Sequence, residues 1–396
     1  MIGAAATPPL RPTPTVWGAA AHLAKRTRTR RGPTVLQIQV TDRCNYSCVH
    51  CYETHGDKEE ISLAVIDRVL GEVAGLGTLF LMLTGGEVFM RRDADDLLRA
   101  ARRHKYAVKL LTTGHFIDER RADLIHDLGA IQVDMSFYAG DPAIHDHITQ
   151  IRGSWRRTLD AARRLRARGV NVTLKSPILA ANGDDLHEVV RIARELGCNF
   201  AFDPFINARE DGNQEPTELR ASAEALRAIY ADPELGGFDV VAAEHRERLA
   251  GLRVDEKAAD QGICGAGWDV GSVTPQGIVQ SCHLLPIPCG DLRTQSFAEI
   301  WRDSPAMRRI REFTWADIDD CRVCEVRPYC NRCHSKALLE DGEWDRPSLD
   351  ACRHALLKRD LFRECGVIPE SETALPPPLA RLQTDRSRPA ALRVLR

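Results

Sequence analysis

Strand-like and helix-like patterns alternate along residues 35–206, and this alternation limits the possible fold more than any other feature of the sequence. Short apolar or β-rich runs predict six strands, at Val35–Val40, Leu79–Leu83, Val108–Leu111, Ile131–Phe137, Val170–Leu174 and Phe200–Ile206. Helical patterns between the strands start near Ser62, Asp93, Ile117, Ser154 and Leu186, with serine caps at the first and fourth. Strands that alternate with helices favour a parallel sheet covered by helices. Six units are too few to close an eight-stranded barrel, so we predict an α/β fold, a partial (β/α)6 TIM-like barrel.

The segments that directly follow these strands carry polar, glycine and cysteine residues. They are 44–51, 84–87, 112–115 and Ser136. Because the carboxyl ends of parallel strands meet at one edge of a sheet, we expect these segments to converge. The sequence therefore predicts one functional site that is assembled from residues far apart in the chain.

The chain contains 13 cysteines among its 396 residues. Disulfides would be the first interpretation in a small secreted protein, but this chain is long and no secretory signal precedes the first strand. An odd number of cysteines also cannot pair completely. Metal or cluster ligation is therefore the better interpretation.

Three of the cysteines lie on one loop directly after the first strand, with the spacing Cys44-x3-Cys48-x2-Cys51. Three thiolates on a short loop can bind three irons of a cubane cluster and leave the fourth iron without a protein ligand. A zinc site completed by His50 or by a distant residue is the alternative.

This loop resembles the cluster-binding loop of the radical S-adenosylmethionine (SAM) superfamily. The shared features are the cysteine spacing, its position after a strand, and a ring residue, His50, before the third cysteine. The resemblance implies that Cys44, Cys48 and Cys51 hold a catalytic 4Fe-4S cluster whose open iron binds SAM. Reductive cleavage of SAM would then release a 5′-deoxyadenosyl radical.

Further residues match the SAM-binding positions of that family. Gly85-Gly86-Glu87 ends the second strand and resembles the Gly-Gly-Glu motif that holds the SAM amino group, although Val88 follows where proline is usual. Ser136 stands at the ribose-binding position, whereas Arg152 and Lys175 are polar candidates that could also be ordinary surface charges. The SAM contacts implied by the resemblance are His50, Tyr52, Gly85, Gly86, Glu87, Thr113, Ser136, Arg152 and Lys175.

A second group of cysteines occupies the C-terminal third of the chain. Its spacing resembles the SPASM extension of radical SAM enzymes, which carries two auxiliary 4Fe-4S clusters. The resemblance implies one cluster on Cys321, Cys324, Cys330 and Cys352, and another on Cys264, Cys282 and Cys333. Three clusters in total, with SAM, are the expected cofactors.

Two features of this second group leave alternatives open. Only two residues separate Cys330 from Cys333, where the family pattern usually has three. Two fully ligated cubanes need eight ligands and the motif provides seven, so the eighth is Cys289, His283, another residue or none. A zinc ribbon over Cys321–Cys333 is the structural alternative. Of the remaining cysteines, we expect Cys198 to be a small buried hydrophobe.

These patterns divide the chain into five parts. We expect a disordered tail over 1–33, a radical SAM barrel over 34–210 and a helical connector over 211–260. An auxiliary-cluster domain over 261–366 follows, and a second disordered tail covers 371–396.

The resemblance implies hydrogen abstraction from a substrate, and the full two-cluster extension favours a ribosomally made peptide that is crosslinked, oxidised or epimerised. A small-molecule dehydrogenase, decarboxylase or epimerase is the alternative, and a non-catalytic iron–sulfur or zinc protein is a second one. We expect a reducing partner such as flavodoxin or ferredoxin. Because only about 33 residues precede the first strand, any leader-binding module is expected to be absent or a separate protein.

Charge and hydropathy exclude two classes of partner. A formal net charge of −2 gives no general attraction for nucleic acid or for an anionic membrane surface. No apolar run reaches the roughly 20 residues that cross a bilayer. We therefore expect no nucleic-acid or membrane partner and a cytoplasmic location.

Overall fold

A parallel sheet forms the centre of the computed structural model, which describes residues 32–235, 262–364 and 375–384. Its first six strands are β1 Val35–Gln39, β2 Phe80–Thr84, β3 Ala107–Thr112, β4 Gln132–Ser136, β5 Val172–Pro177 and β6 Asn199–Asp203. They lie side by side in chain order, and every neighbouring pair is parallel. The predicted partial barrel is confirmed, with strand boundaries shifted by one to three residues.

Helices connect the successive strands and cover the sheet. They are α1 Leu63–Gly75, α2 Ala94–Arg103, α3 Glu119–Asp127, α4 Pro142–Thr149, α5 Ser154–Ala167 and α6 Leu186–Leu196. In α1 the buried residues Ile66, Val69, Leu70 and Val73 follow the helical period and pack on the sheet. The Ser62 side chain accepts a hydrogen bond from the Val65 amide, as predicted for a cap.

Two details between β4 and β5 differ from the sequence prediction. Helix α4 was not predicted, although Asp141-Pro142 is an ordinary helix start in which the carboxylate accepts from the Ala143 amide. Ser154 does not cap α5, because Gly153 takes the cap position with a positive φ of 78°. Ser154 instead is the first helical residue, and its buried hydroxyl donates to Asp146 at 2.9 Å.

The C-terminal region continues the same sheet. Strand β7 (Val270–Val273) pairs in parallel with β1, and β8 (Ile278–Gln280) and β9 (Gly290–Asp291) add antiparallel neighbours. The sheet order is therefore β6-β5-β4-β3-β2-β1-β7-β8-β9. Phe297 and Trp301, whose rings stack 5.8 Å apart, are buried in the same hydrophobic core as the barrel.

Short helices surround the C-terminal cysteines. After α7 (Ala223–Ala231) they are α8 Phe297–Asp303, α9 Pro305–Glu312, α10 Asp319–Arg322, α11 His334–Asp341, α12 Leu349–Glu364 and α13 Pro377–Thr384. Helix α13 falls where a disordered tail was expected, and Leu379 within it is completely buried. Residues 1–31, 236–261 and 385–396, and Cys365, lie outside the described part of the chain.

None of the helices in the described residues is both long enough and apolar enough to cross a membrane.

Candidate active site

A cavity of about 250 Å³ opens at the carboxyl ends of the parallel strands. The cysteine loop after β1 forms one wall, and residues that follow β2, β3, β4 and β5 form the others. The predicted site residues that line the cavity are Cys44, Cys48, His50, Cys51, Tyr52, Gly85, Gly86, Thr113, Ser136 and Lys175. The topology thus brings together residues that are separated by more than a hundred positions.

Backbone hydrogen bonds fix the cysteine loop to its neighbours. The amides of Ser47 and Val49 donate to Thr149 and Ile148 at the end of α4, at 3.2 and 3.0 Å. On the other side, the Glu87 amide donates to the Arg43 carbonyl at 2.9 Å. The unpredicted helix α4 therefore helps to position the three cysteines.

The two glycines after β2 allow the loop to lie directly against the strand end. A Cβ atom on Gly85, which has a φ of +148°, would lie 2.6 Å from the Thr41 carbonyl oxygen. A Cβ atom on Gly86 would lie 2.4 Å from the Arg43 carbonyl oxygen and 2.9 Å from Cβ of Cys44. Both distances are below van der Waals contact, so side chains here would displace the cysteine loop.

The Glu87 side chain is not among the residues that line the cavity, and its expected contact with SAM stays a prediction. Its buried carboxylate accepts from the Thr113 amide and hydroxyl, both at 2.7 Å, and from the Thr112 hydroxyl at 2.8 Å. Because all these donors sit at the end of β3, Glu87 fixes the β3 turn, and Thr113 is left to line the cavity.

Arg152 and Lys175, the two weaker candidates, have different surroundings. Arg152 is exposed and does not line the cavity. Lys175 does, and its Nζ lies 3.9 Å from a carboxylate oxygen of Asp134. The same oxygen lies 2.8 Å from Nζ of Lys109, so a buried ion pair lies beneath the cavity floor.

The ring of His50 packs edge-on against Tyr138, with centroids 4.8 Å apart. Burial lowers the pKa of His50 to about 4, so its imidazole is neutral at physiological pH. Its Nδ1 atom is buried and has no hydrogen-bond partner among the residues that the structure describes. A buried polar atom without a partner beside the cysteine loop is what a site for a polar ligand provides.

Burial raises the pKa of the Cys44 thiol to about 12 and that of Cys48 to about 11. Only a nearby cation would make such buried thiols ionise, and iron supplies that charge. No three His, Cys, Asp or Glu side chains in the described residues converge on a single metal position.

The cavity wall also contains residues that were not predicted as site residues, and Tyr138, Asp203 and Phe205 are among them. The Tyr138 hydroxyl lies 3.7 Å from the Cys48 sulfur. Tyr138 follows the carboxyl end of β4, Asp203 ends β6 and Phe205 follows it, so extending the strand-end argument by two residues would have found these three.

The C-terminal cysteines form two separate groups. In one, the Cys352 thiol lies within electrostatic range of Cys330, Cys321 and Cys324. In the other, the Cys282 thiol is close to Cys333 and Cys264. These are the two sets that the sequence predicted, and their role as ligands stays a prediction.

The candidates for an eighth ligand are now distinguished by position. Cys289 is buried in the main hydrophobic core, and its sulfur lies 3.7 Å from the Ile287 carbonyl oxygen. The Nδ1 atom of His283 lies 4.0 Å from the Cys282 sulfur, and its ring is 6.0 Å from that of Tyr52. His283 is therefore the better placed of the two, between the second cysteine group and the cavity.

Comparison with known protein families decides the assignment. The model of the Radical SAM superfamily matches residues 38–196, which include the end of β1, the cysteine loop and strands β2 to β5. These residues belong to the radical SAM superfamily. The SPASM model, described as an iron–sulfur cluster-binding domain, matches residues 264–325 and ends before Cys330. This radical SAM protein is thus an enzyme that binds SAM and iron–sulfur clusters.

Curated relatives match most of the radical SAM chain. A PqqA peptide cyclase of Gluconobacter oxydans is 28% identical over 74% of this chain and 83% of its own length. A second PqqA peptide cyclase, of Ruegeria pomeroyi, is 28% identical over 78% and 85%. An AdoMet-dependent heme synthase of Methanosarcina barkeri is 24% identical over 79% and 94%.

Solved structures share the fold. Streptococcus suis SuiB bound to S-adenosylmethionine superposes with a TM-score of 0.64, at 16% identity over 85% of this chain and 81% of SuiB. The enzyme anSMEcpe with bound AdoMet gives a TM-score of 0.61, at 16% identity over 84% and 97%. The radical SAM barrel and its C-terminal extension are therefore an arrangement found in both of these proteins.

Proposed function

We propose that this enzyme uses a radical generated from SAM to abstract a hydrogen atom from a ribosomally made peptide, which is then crosslinked, oxidised or epimerised. The main support for this proposal is that Cys44, Cys48 and Cys51 line the same cavity as Gly85 and the ends of the neighbouring strands. A bound cluster and SAM together supply the electron and the carbon radical for hydrogen abstraction.

The residues of the chain hold and orient the reactants. Cys44, Cys48 and Cys51 would hold the iron, and backbone atoms at Gly85 and Gly86 let the ligand approach closely. The unpaired Nδ1 of His50 and the hydroxyls of Thr113 and Ser136 provide polar contacts for SAM. Abstraction itself needs positioning rather than an acid or a base, because no proton is transferred.

Two auxiliary clusters, making three in total, are the second part of the proposal. One would be held by Cys321, Cys324, Cys330 and Cys352, and the other by Cys264, Cys282 and Cys333 with His283 as a candidate fourth ligand. The second set borders the cavity through the contact between His283 and Tyr52. It can therefore receive the electron that hydrogen abstraction leaves on the substrate. Flavodoxin or ferredoxin would reduce the SAM cluster.

A peptide substrate is supported by the relatives. Two of them are named for cyclising the PqqA peptide. SuiB and anSMEcpe, which share the fold, have been crystallised with a precursor peptide and with an 18Cys peptide, respectively. A separate leader-binding protein is a further proposed partner.

Anaerobic reconstitution followed by product analysis tests the proposal. The enzyme should bind about twelve irons per chain, and a Cys48→Ala variant about eight. With dithionite, SAM and a deuterated candidate peptide encoded beside its gene, it should form 5′-deoxyadenosine that carries deuterium. Bound zinc with no SAM cleavage would contradict the radical chemistry. SAM cleavage with no deuterium transfer would contradict the peptide substrate.

A small-molecule substrate is the second candidate, favoured by the relative named as an AdoMet-dependent heme synthase. The same deuterium assay with a porphyrin precursor distinguishes the two candidates, because only the true substrate donates the abstracted hydrogen.

A further inference from the structure

Arg332 lies between the two groups of C-terminal cysteines. In the sequence it stands between Cys330, which belongs to the group around Cys352, and Cys333, which belongs to the group around Cys264. Only two residues separate Cys330 from Cys333, so Arg332 is adjacent to both groups through the backbone. Its side chain is 4% exposed.

The hydrogen bonds of Arg332 all go to neutral acceptors. Its Nε donates to the Arg346 carbonyl at 2.9 Å, one Nη donates to the Trp344 carbonyl at 2.6 Å, and the other lies 2.9 Å from Nδ1 of His334. A guanidinium can only donate hydrogen bonds, so the Nδ1 atom of His334 is the acceptor and carries no proton. Among the described residues, no carboxylate forms a salt bridge with Arg332.

Cysteine sulfurs from both groups lie within electrostatic range of this guanidinium. They are Cys321, Cys330, Cys333 and Cys264. A guanidinium remains protonated in a protein, and a buried charge without a counter-ion is strongly unfavourable. Thiolates bound to iron on its two sides would supply the counter-charge that makes its burial tolerable.

We propose that Arg332 is a positioning residue shared by the two auxiliary clusters, which stabilises the reduced form of both and so raises both reduction potentials. This inference rests on the proposed function, because it needs both clusters. Each reduction adds one negative charge, and a fixed cation in a water-poor site stabilises that charge. Raised potentials would make each cluster a better acceptor for the electron left on the substrate.

The test separates charge from hydrogen bonding. A Cys44→Ala/Cys48→Ala/Cys51→Ala background removes the SAM cluster, so the auxiliary clusters are observed alone. In that background Arg332→Gln removes the charge but keeps N–H donors for the two carbonyls, and Arg332→Lys keeps the charge. Arg311→Gln is the matched control, because Arg311 also donates to two carbonyls, those of Gly267 and Trp301.

The readouts are iron and sulfide content and potentials measured by redox titration with electron paramagnetic resonance. We expect about eight irons in the background protein. Arg332→Gln should lower the ratio of reduced to oxidised cluster at a fixed potential by about tenfold for both clusters, which is about 59 mV for a one-electron couple. Arg332→Lys should lie closer to the background protein, and Arg311→Gln should not differ from it.

The other outcomes are equally decisive. Full iron content with unchanged potentials in Arg332→Gln would overturn the inference while leaving the proposed function intact. If Arg332→Gln loses iron from both sites and Arg332→Lys keeps it, the shared charge is supported as a requirement for cluster binding. Equal iron loss in both variants would overturn the electrostatic role. A background protein that binds no iron would refute the auxiliary clusters themselves.

Discussion

Gly86 is the residue that most directly controls how closely the cysteine loop approaches β2. We predict that Gly86→Ala lowers SAM cleavage at least about tenfold, because the new Cβ would meet backbone atoms of Arg43 that cannot rotate away. Reconstituted iron content and 5′-deoxyadenosine formation measure the effect. Gly75→Ala is the control, since no atom lies within 4 Å of its added Cβ. Equal activity of the two variants would contradict the prediction.

His145 gives the protein a pH-dependent stability. Burial lowers its pKa from 6.5 to about 4, although Asp146 acts in the opposite direction. The folded state then binds fewer protons than the unfolded state, so stability is full above pH 6.5 and falls as the pH decreases towards 4. The difference reaches roughly 3 kcal/mol at pH 4.

His145→Phe removes this proton uptake. The free energy of unfolding is measured by anaerobic urea titration between pH 4 and 7. Its slope with pH should be smaller in the variant, by an amount that corresponds to the uptake of at most one proton on unfolding. Parallel pH profiles for the variant and the wild type would show that His145 is protonated in the folded state.

At the scale of elements, α13 covers the cysteine group around Cys352. Pro376 and Pro378 line a small recess together with Cys321 and Cys324, and Leu379 is fully buried beside it. The segment thus shields the cysteines from solvent.

We predict that a chain truncated after Ala374 loses its visible iron–sulfur absorbance in air roughly threefold faster than the full chain, because solvent reaches the cluster proposed for the group around Cys352. A chain truncated after Thr384 keeps α13 and serves as the control. Identical bleaching rates for the two truncations would contradict a protective role.

The elements also mark the limits of sequence reasoning. Strands of the barrel were predictable because each combines a short apolar run with a following amphipathic helix. Helix α4 was missed because eight residues give too little periodicity, and the cap assigned to Ser154 failed because its hydroxyl has a better partner in Asp146. The inward turn of Glu87 depends on Thr112 and Thr113 of another strand, so only the tertiary structure could reveal it.

At the scale of the molecule, a buried charge cluster joins the end of the barrel to the C-terminal helices. Asp350 contacts Nζ of Lys336 and lies 3.2 Å from Arg220, which also donates to the Ile206 carbonyl beside the cavity. Burial alone would raise the pKa of Asp350, but Lys336 and Arg220 contribute to holding it below its ordinary value.

We predict that Asp350→Asn lowers the free energy of unfolding by about 3–5 kcal/mol, because the buried Lys336 loses its counter-ion and Arg220 keeps only Glu340. Asp303→Asn breaks an exposed pair with Arg302 and should cost at most about 1 kcal/mol. Urea denaturation of the two variants under anaerobic conditions compares these costs. Equal losses would mean that the buried cluster does not stabilise the junction.

Strand β1 is hydrogen-bonded on both edges, to β2 on one side and to β7 on the other. Within the described residues, the cysteine loop after β1 and the C-terminal region that would take up the leftover electron are consequently joined to one strand. The distance between them is set by their common attachment to β1, and a bound substrate must fit that distance. Substrates of different length must then be accommodated by the rim of the cavity, such as residues 203–207, and not by a swing of one half of the protein against the other.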